Sequence, residues 1–286
     1  MAQNPEIPFA KLHGLGNDFI VVRSEGLPAP LAELARAICQ RNTGLGADGL
    51  LVLTPSRDKQ RPARLRFFNA DGSEAEMSGN GIRCAAAYLV ANGLATSPLR
   101  IKTLAGVKSL RLIGSKVGRW LFRVAMGRPI LAPAKIPFQG AKGNKPVVAF
   151  PLRTQRGILP ATVTSMGNPH CSIFVGDFAA IDWARLGSEI ENSAFFPNRT
   201  NVEFIKVLSR KEIEVRFWER GVGETMSSGT GSCAAVVASV LNRRSARQVR
   251  VRTLAGTLEV SWPASGEVTL TGPAELIAQG TWHYRP

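Results

Sequence analysis

At 286 residues, 44% apolar and 20% charged, the chain has a globular composition and the length for two ordinary domains, which excludes a disordered or fibrous class. No apolar run approaches the roughly 20 residues of a membrane span. The N-terminal MAQNPEIPFAK has neither the basic region nor the apolar core of a secretory signal, so the expectation is a cytoplasmic protein with no membrane partner. The formal charge of +15 admits anionic ligands, while four scattered cysteines (Cys39, Cys84, Cys171, Cys233) and three histidines argue against a disulfide framework or a metal centre.

In chain order, Phe9–Val22 reads as strand, turn at Gly14–Asp18, and strand again. A helix follows over Pro30–Cys39, with Leu31, Leu34, Ala35 and Ile38 at helical spacing. The glycine-rich turn Gly44–Gly49 leads to a short buried strand, Leu50–Leu53, and Arg64–Phe68 alternates as another. A polar loop, Asn69–Met77, ends at Ser78, which is placed to cap an amphipathic helix stopped at Asn92-Gly93. Arg100–Leu104, Ser109–Ile113 and Arg119–Met126 read as a strand meander, and Gly127–Lys145, rich in Pro, Gly and Lys, as a linker.

Strands Thr162–Thr164 and Cys171–Val175 then flank a turn at Met166–His170, followed by a helix over Trp183–Ile190 and strands Val202–Val207 and Glu214–Trp218. A loop, Gly221–Ser227, leads to Ser228, the cap of a second amphipathic helix running to about Asn242, and strands Val249–Leu254, Gly256–Trp262 and Glu267–Thr271 close this second copy.

The two halves are copies. At a constant offset of 150 residues Arg66, Phe67, Glu74, Ser78, Gly79, Gly81 and Ala85 match Arg216, Phe217, Glu224, Ser228, Gly229, Gly231 and Ala235. The same offset aligns RIKTLAG (Arg100–Gly106) with RVRTLAG (Arg250–Gly256). The division this predicts is residues 1–128 and 129–286, two α+β halves of one plan, with the last strand free to return to the first half.

Each copy of S-G-x-G starts a helix, where unpaired N–H groups and a partial positive charge favour an anion and glycine allows close approach. Two such starts, each carrying a serine, suit binding of one carboxylate with proton removal from one face of a carbon and return on the other. No P-loop lysine follows either glycine pair and neither serine lies in G-x-S-x-G, so nucleotide binding and serine hydrolysis are disfavoured. A lone S-G-x-G would read as an ordinary capped helix; the duplication tips the balance. Nucleic-acid binding through Arg57, Lys59, Arg61, Arg64 and Arg66, or through Arg243 to Arg252, is disfavoured against a solvated basic surface, because the basic residues are not interleaved with aromatics.

The blocks KLHGLGNDF (Lys11–Phe19), GADGL (Gly46–Leu50), FFNADGSEAEMSGNGIRC (Phe67–Cys84), SMGNPHC (Ser165–Cys171), NRTNVEF (Asn198–Phe204) and ERGVGETMSSGTGSCAA (Glu219–Ala235) resemble the diaminopimelate epimerase family over nearly the whole chain. The resemblance implies two pseudo-twofold-related domains, each a β-barrel-like sheet around a central helix, acting on diaminopimelate in lysine and peptidoglycan synthesis without pyridoxal phosphate or metal, often as a homodimer. It implies Asn17, Asn69, Asn168, Asn201 and Arg220 as contacts to the non-reacting end of the substrate. Gly79, Asn80, Gly229 and Thr230 would hold the carboxylate at the reacting carbon, and His170 and Glu219 would tune the two catalytic groups at positions 78 and 228. Without the motif, His170 would read as a loop histidine and Glu219 as a rim carboxylate paired with Arg220.

One departure stands out. The family pattern has cysteine at each S-G-x-G, where this chain has Ser78 and Ser228. A thiol at a helix start is a fair acid and base near neutrality; a hydroxyl needs an adjacent base, and the sequence displays none at either position. Cys84 and Cys233 lie more than a turn further on. Three accounts stay open: cysteines replaced to trap substrate, a branch that racemises or dehydrates another amino acid, and an inactive amino-acid-binding paralogue. Gly49 lies where some members carry a substrate-touching glutamine, which puts that contact in doubt.

Overall fold

A computed structural model describes residues 5–28, 30–56 and 63–284. Arg57, Lys59 and Arg61 of the first basic cluster, and the first four residues of the N-terminal segment, lie outside the described residues. The first part of the chain forms β1 (Glu6–Gly14), β2 (Asn17–Arg23), α1 (Leu31–Cys39), β3 (Gly49–Thr54), β4 (Ala63–Asn69), β5 (Glu74–Ala75), α2 (Gly79–Ala91), β6 (Leu99–Thr103), β7 (Gly106–Lys116) and β8 (Arg119–Gly127). The second forms β9 (Val147–Thr154), β10 (Gly157–Ser165), β11 (Pro169–Phe174), α3 (Trp183–Glu191), β12 (Asn201–Ser209), β13 (Glu212–Glu219), β14 (Gly223–Thr225), α4 (Gly229–Leu241), β15 (Gln248–Thr253), β16 (Gly256–Ser261) and β17 (Val268–His283). Two compact units result, one of Met1–Val124 with Gly272–Pro286 and one of Ala125–Thr271.

In the first unit the strands run β17-β1-β2-β3-β4-β6-β7-β8, and β8 pairs back with β17, so the row closes into a barrel. The β2–β3 and β4–β6 pairs are parallel, with α1 and α2 respectively as their crossovers. α1 keeps one apolar stripe, Leu34, Ala35 and Ile38, against β3 and β4. α2 packs on β1, β2 and β3 and is buried on every side from Gly79 to Ala87. The second unit repeats the plan as β9-β10-β11-β12-β13-β15-β16-β17, with β11–β12 and β13–β15 parallel and α4 in the position of α2. This is the expected α+β architecture, a barrel-like sheet around a central helix in each half.

Several local expectations change. α2 and α4 are not amphipathic: a helix enclosed by its own sheet has no solvent face, and α4 is buried from Gly231 through Ser239. The segment after Gly127 is not a free linker, since Ile130 bridges to Ser165 and Ile136 and Phe138 pack with Leu152, Val163 and Phe196. The last strand runs to His283 through Gly272-Pro273, a pair that reads locally as a breaker. The strand β9 went unread, and the two loops before the caps each contain a short strand, β5 and β14. His170 belongs to β11 rather than to the preceding turn.

Candidate active site

The repeated S-G-x-G is repeated in geometry. Ser78 (φ −124°, ψ 128°) and Ser228 (φ −130°, ψ 129°) are extended caps whose hydroxyls accept from Gly81 N at 3.1 Å and Gly231 N at 3.2 Å. The last glycine of each motif is required by packing: an added Cβ would meet Phe67 Cε1 at 2.8 Å from Gly81 and Phe217 Cδ1 at 2.9 Å from Gly231. The matched phenylalanines and glycines of the repeat are therefore one contact made twice. It draws each helix start down onto β4 or β13.

In the first unit, Asn80 is buried and donates to Asn17 Oδ1 at 3.2 Å, and Asn17 donates in turn to Asp48 at 2.8 Å. Asp48 also accepts from Asp18 N and from Arg41 at 2.8 Å. Behind Asn80 lies Arg83, fully buried, donating to Asn80 Oδ1 at 2.9 Å, to the Gly79 carbonyl at 2.8 Å and to the Pro273 carbonyl at 3.0 Å. A guanidinium keeps its charge when buried, and this one lies against the first turn of α2 through the Gly79 carbonyl and Asn80. Asn69 is exposed at the end of β4 and donates to Ser73 at 2.9 Å. Gly49 faces the Phe68 carbonyl at 2.7 Å from any added Cβ, so a glutamine there would displace β4.

In the second unit, Ser228 donates to Glu219 Oε2 at 3.0 Å, and Thr225 donates to the other carboxylate oxygen at 2.7 Å. The carboxylate that the sequence did not place beside Ser228 is Glu219, nine residues back and returned by the β13–β14 hairpin. Burial raises the Glu219 carboxyl above the ordinary glutamate range, against the lowering pull of the Thr225 and Ser228 hydroxyls and of His170. Its partners are these hydroxyls, not Arg220. His170 is fully buried; its Nδ1 lies 2.6 Å from Glu203 and its Nε2 2.9 Å from Asn168 Oδ1. Asn201 is spent on the main chain, donating to the Pro169 carbonyl at 2.8 Å and accepting from Arg220 N at 3.0 Å. Arg220 itself is exposed beside the Asn198 carbonyl. Gly229 is buried and Thr230 half-buried at the start of α4.

Asn17 with Asn80 in one unit, and Ser228 with Glu219, Asn168 with His170, and Asn201 with the Arg220 backbone in the other, are thus brought into direct contact. Sequence reasoning passed over Arg83, Asp48, Glu203 and Thr225. A signal existed for two of them: Arg83 is a lone charge in the apolar run GIRCAAA, and Glu203 one in NVEF. Glu191 was also missed; it is buried on α3 and accepts from Trp218 Nε1 at 2.7 Å and Gly221 N at 2.8 Å, which pins the turn carrying Arg220. Burial pushes the Cys84 thiol up to about 12, which removes it as a proton carrier near neutrality. Among the described residues no group of three His, Cys, Asp or Glu is placed to hold a metal ion, and no helix is long and apolar enough to cross a membrane.

The fold resembles a probable proline racemase from Agrobacterium radiobacter K84 (TM-score 0.71, 17% identity, 98% of this chain and 94% of that one). It also resembles a hydroxyproline epimerase from Agrobacterium vitis, solved with trans-4-hydroxy-L-proline (TM-score 0.71, 14% identity, 100% and 94%). In sequence the chain is 47% identical to the diaminopimelate epimerase of Pelotomaculum thermopropionicum over 97% of this chain and 99% of the relative. It is also 47% identical to that of Moorella thermoacetica, over 95% and 98%. The diaminopimelate epimerase profile matches residues 9–131 and 162–277, one segment in each copy of the repeat. Matched in both copies and along nearly its full length, the chain belongs to the diaminopimelate epimerase family.

Proposed function

We propose that the protein binds diaminopimelate and exchanges the proton on its α-carbon between the LL and meso forms by a two-base route, with positions 78 and 228 as proton carriers. The observation that carries this reading is Ser228 Oγ on the Glu219 carboxylate, at a helix start with the same cap geometry as Ser78. A carboxylate in hydrogen-bond contact with the side chain at 228 is the arrangement that takes and returns its proton. The helix-start amides would hold the substrate carboxylate, and Asn17, Asn69, Asn168, Asn201 and Arg220 its distal end. For Asn201 the contact would be indirect, through the Arg220 backbone it holds. Neither metal nor pyridoxal phosphate enters this route. A hydroxyl is a poor acid, so turnover in this chain is slow, while ligand binding is retained.

The test is α-deuterium incorporation into either diaminopimelate isomer in deuterium oxide. The combined variant S78C/S228C is expected to raise the exchange rate by roughly 10²–10⁴-fold, the range that a matched general acid or base contributes. Absence of exchange with that variant, together with saturable binding of the amino acid by calorimetry, would support the binding paralogue instead. A homodimer in the cytoplasm completes the proposal, and light scattering reads the mass directly.

A further inference from the structure

Glu203 is one of the most deeply buried carboxyl groups of the second unit, 1% exposed between Val202 and Phe204 on β12. Its Oε1 lies 2.6 Å from His170 Nδ1, and its Oε2 accepts from Ser172 Oγ at 3.2 Å. The register explains the meeting. β11 and β12 run parallel with Ser172 opposite Glu203, and His170 stands two residues from Ser172, on the same face. That face is turned toward α4: an added Cβ on Gly231 would stand 3.1 Å from Glu203 Oε1. The carboxylate therefore sits beneath the first turn of α4, where the helix dipole and two donors offset the cost of burying it.

A carboxylate offers acceptors only, so the contact places a hydrogen on His170 Nδ1 and directs Nε2 toward Asn168. We propose that Glu203 is a positioning residue for the epimerase reaction. By holding the Nδ1 hydrogen it sets the plane of His170, so that the proton His170 gains and loses is the one at Nε2, which in the protonated ring donates to Asn168 Oδ1. This rests on the proposed function for its role in turnover, but the Glu203–His170 lock stands on geometry alone. Glu203 makes no contact with substrate in this scheme; it acts through His170.

Two readouts separate the two layers. The first is the side-chain ¹⁵N–¹H spectrum of the chain as it stands. The other histidines, His13 and His283, are not fully buried, so a slowly exchanging imidazole proton belongs to His170. Glu203→Gln, which keeps the volume and can still meet Ser172, is expected to shift or erase that Nδ1 resonance while circular dichroism stays unchanged. Ser172→Ala, which removes one donor and leaves the charge, should move the same resonance by less, and serves as the assay if Glu203→Gln does not fold. The second readout is exchange in the S78C/S228C background. There Glu203→Gln is expected to lower kcat by roughly 10²-fold with KM within about twofold, the pattern of a lost proton-transfer geometry. An unchanged His170 resonance overturns the lock. A shifted resonance with unchanged kcat overturns the role in turnover. Absence of exchange in the S78C/S228C parent overturns the proposed function and leaves the spectroscopic result to decide the lock.

Discussion

The two helix starts share their backbone and differ in what lies behind it. Ser78 and Ser228 adopt nearly the same angles and make the same bond to the glycine three residues on. Behind Ser78, however, the fully buried Arg83 holds the Gly79 carbonyl, whereas the repeat position of Arg83 in the second unit is Cys233. Around Ser228 the charged neighbours are carboxylates: Glu219 on its hydroxyl and Glu203 under the same helical turn. A nearby cation favours loss of a proton, and nearby carboxylates favour its retention. Duplication has preserved the capped helix start while the charges diverged, which is what the proposed two-base route would ask of a pair of groups beginning turnover in opposite protonation states.

The largest expected effect would break the shared part of this comparison. Gly81→Ala and Gly231→Ala each drive a methyl into a buried phenylalanine ring and should cost about 1–3 kcal/mol in urea unfolding. A loss confined to one of them would show that only one start is held down on its strand. Next in size, the divergent part is read by single cysteine variants. The thiol in S78C should alkylate with iodoacetamide at pH 7 at least about tenfold faster than that in S228C, since Arg83 lowers the one pKa and the carboxylates raise the other. Equal rates would remove the electrostatic asymmetry.

A smaller effect concerns pH. In the proposed route Glu219 must be ionised to accept a proton from position 228, and burial raises its carboxyl above the ordinary glutamate range. Exchange should therefore fall off on the acid side at a higher pH than an ordinary glutamate would dictate. Thr225→Val removes a donor that favours the ionised form and should move that limb further up. A limb that moves down contradicts the assignment of Glu219 as the base. The smallest effect lies at the other ends of the helices. The left-handed residue after α2 is Gly93 (φ 64°), but after α4 it is Arg243 (φ 59°). Arg243→Gly should stabilise the fold by roughly 0.5–1 kcal/mol in the same urea assay, with exchange unchanged.

Much of the frame was legible from short stretches of chain. Ser78 and Ser228 as caps, Asn92-Gly93 as a stop and the 150-residue offset all concern residues within a turn of one another or repeated outright. The character of α2 and α4 was misread because amphipathicity assumes a solvent face, and a helix inside a barrel has none. β9 escaped because VVAFPLRT carries a proline and alternates weakly, although its pairing with β10 is a local hairpin through residues 155–156. Within the site, Glu219 was legible only through the family resemblance, and its bond to Ser228 was not legible at all.

The sequence by itself determined the duplicated backbone cradle, because a cap acts on an N–H group within one turn of its own residue. Only the tertiary structure decided the charges around each cradle. His170 and Glu203 are separated by 33 positions and meet through the pairing of β11 with β12, while Arg83 and Pro273, 190 apart, meet where α2 packs inside its sheet. Proton affinity depends on burial and on charges a few ångströms away, and neither is a property of a residue's neighbours along the chain.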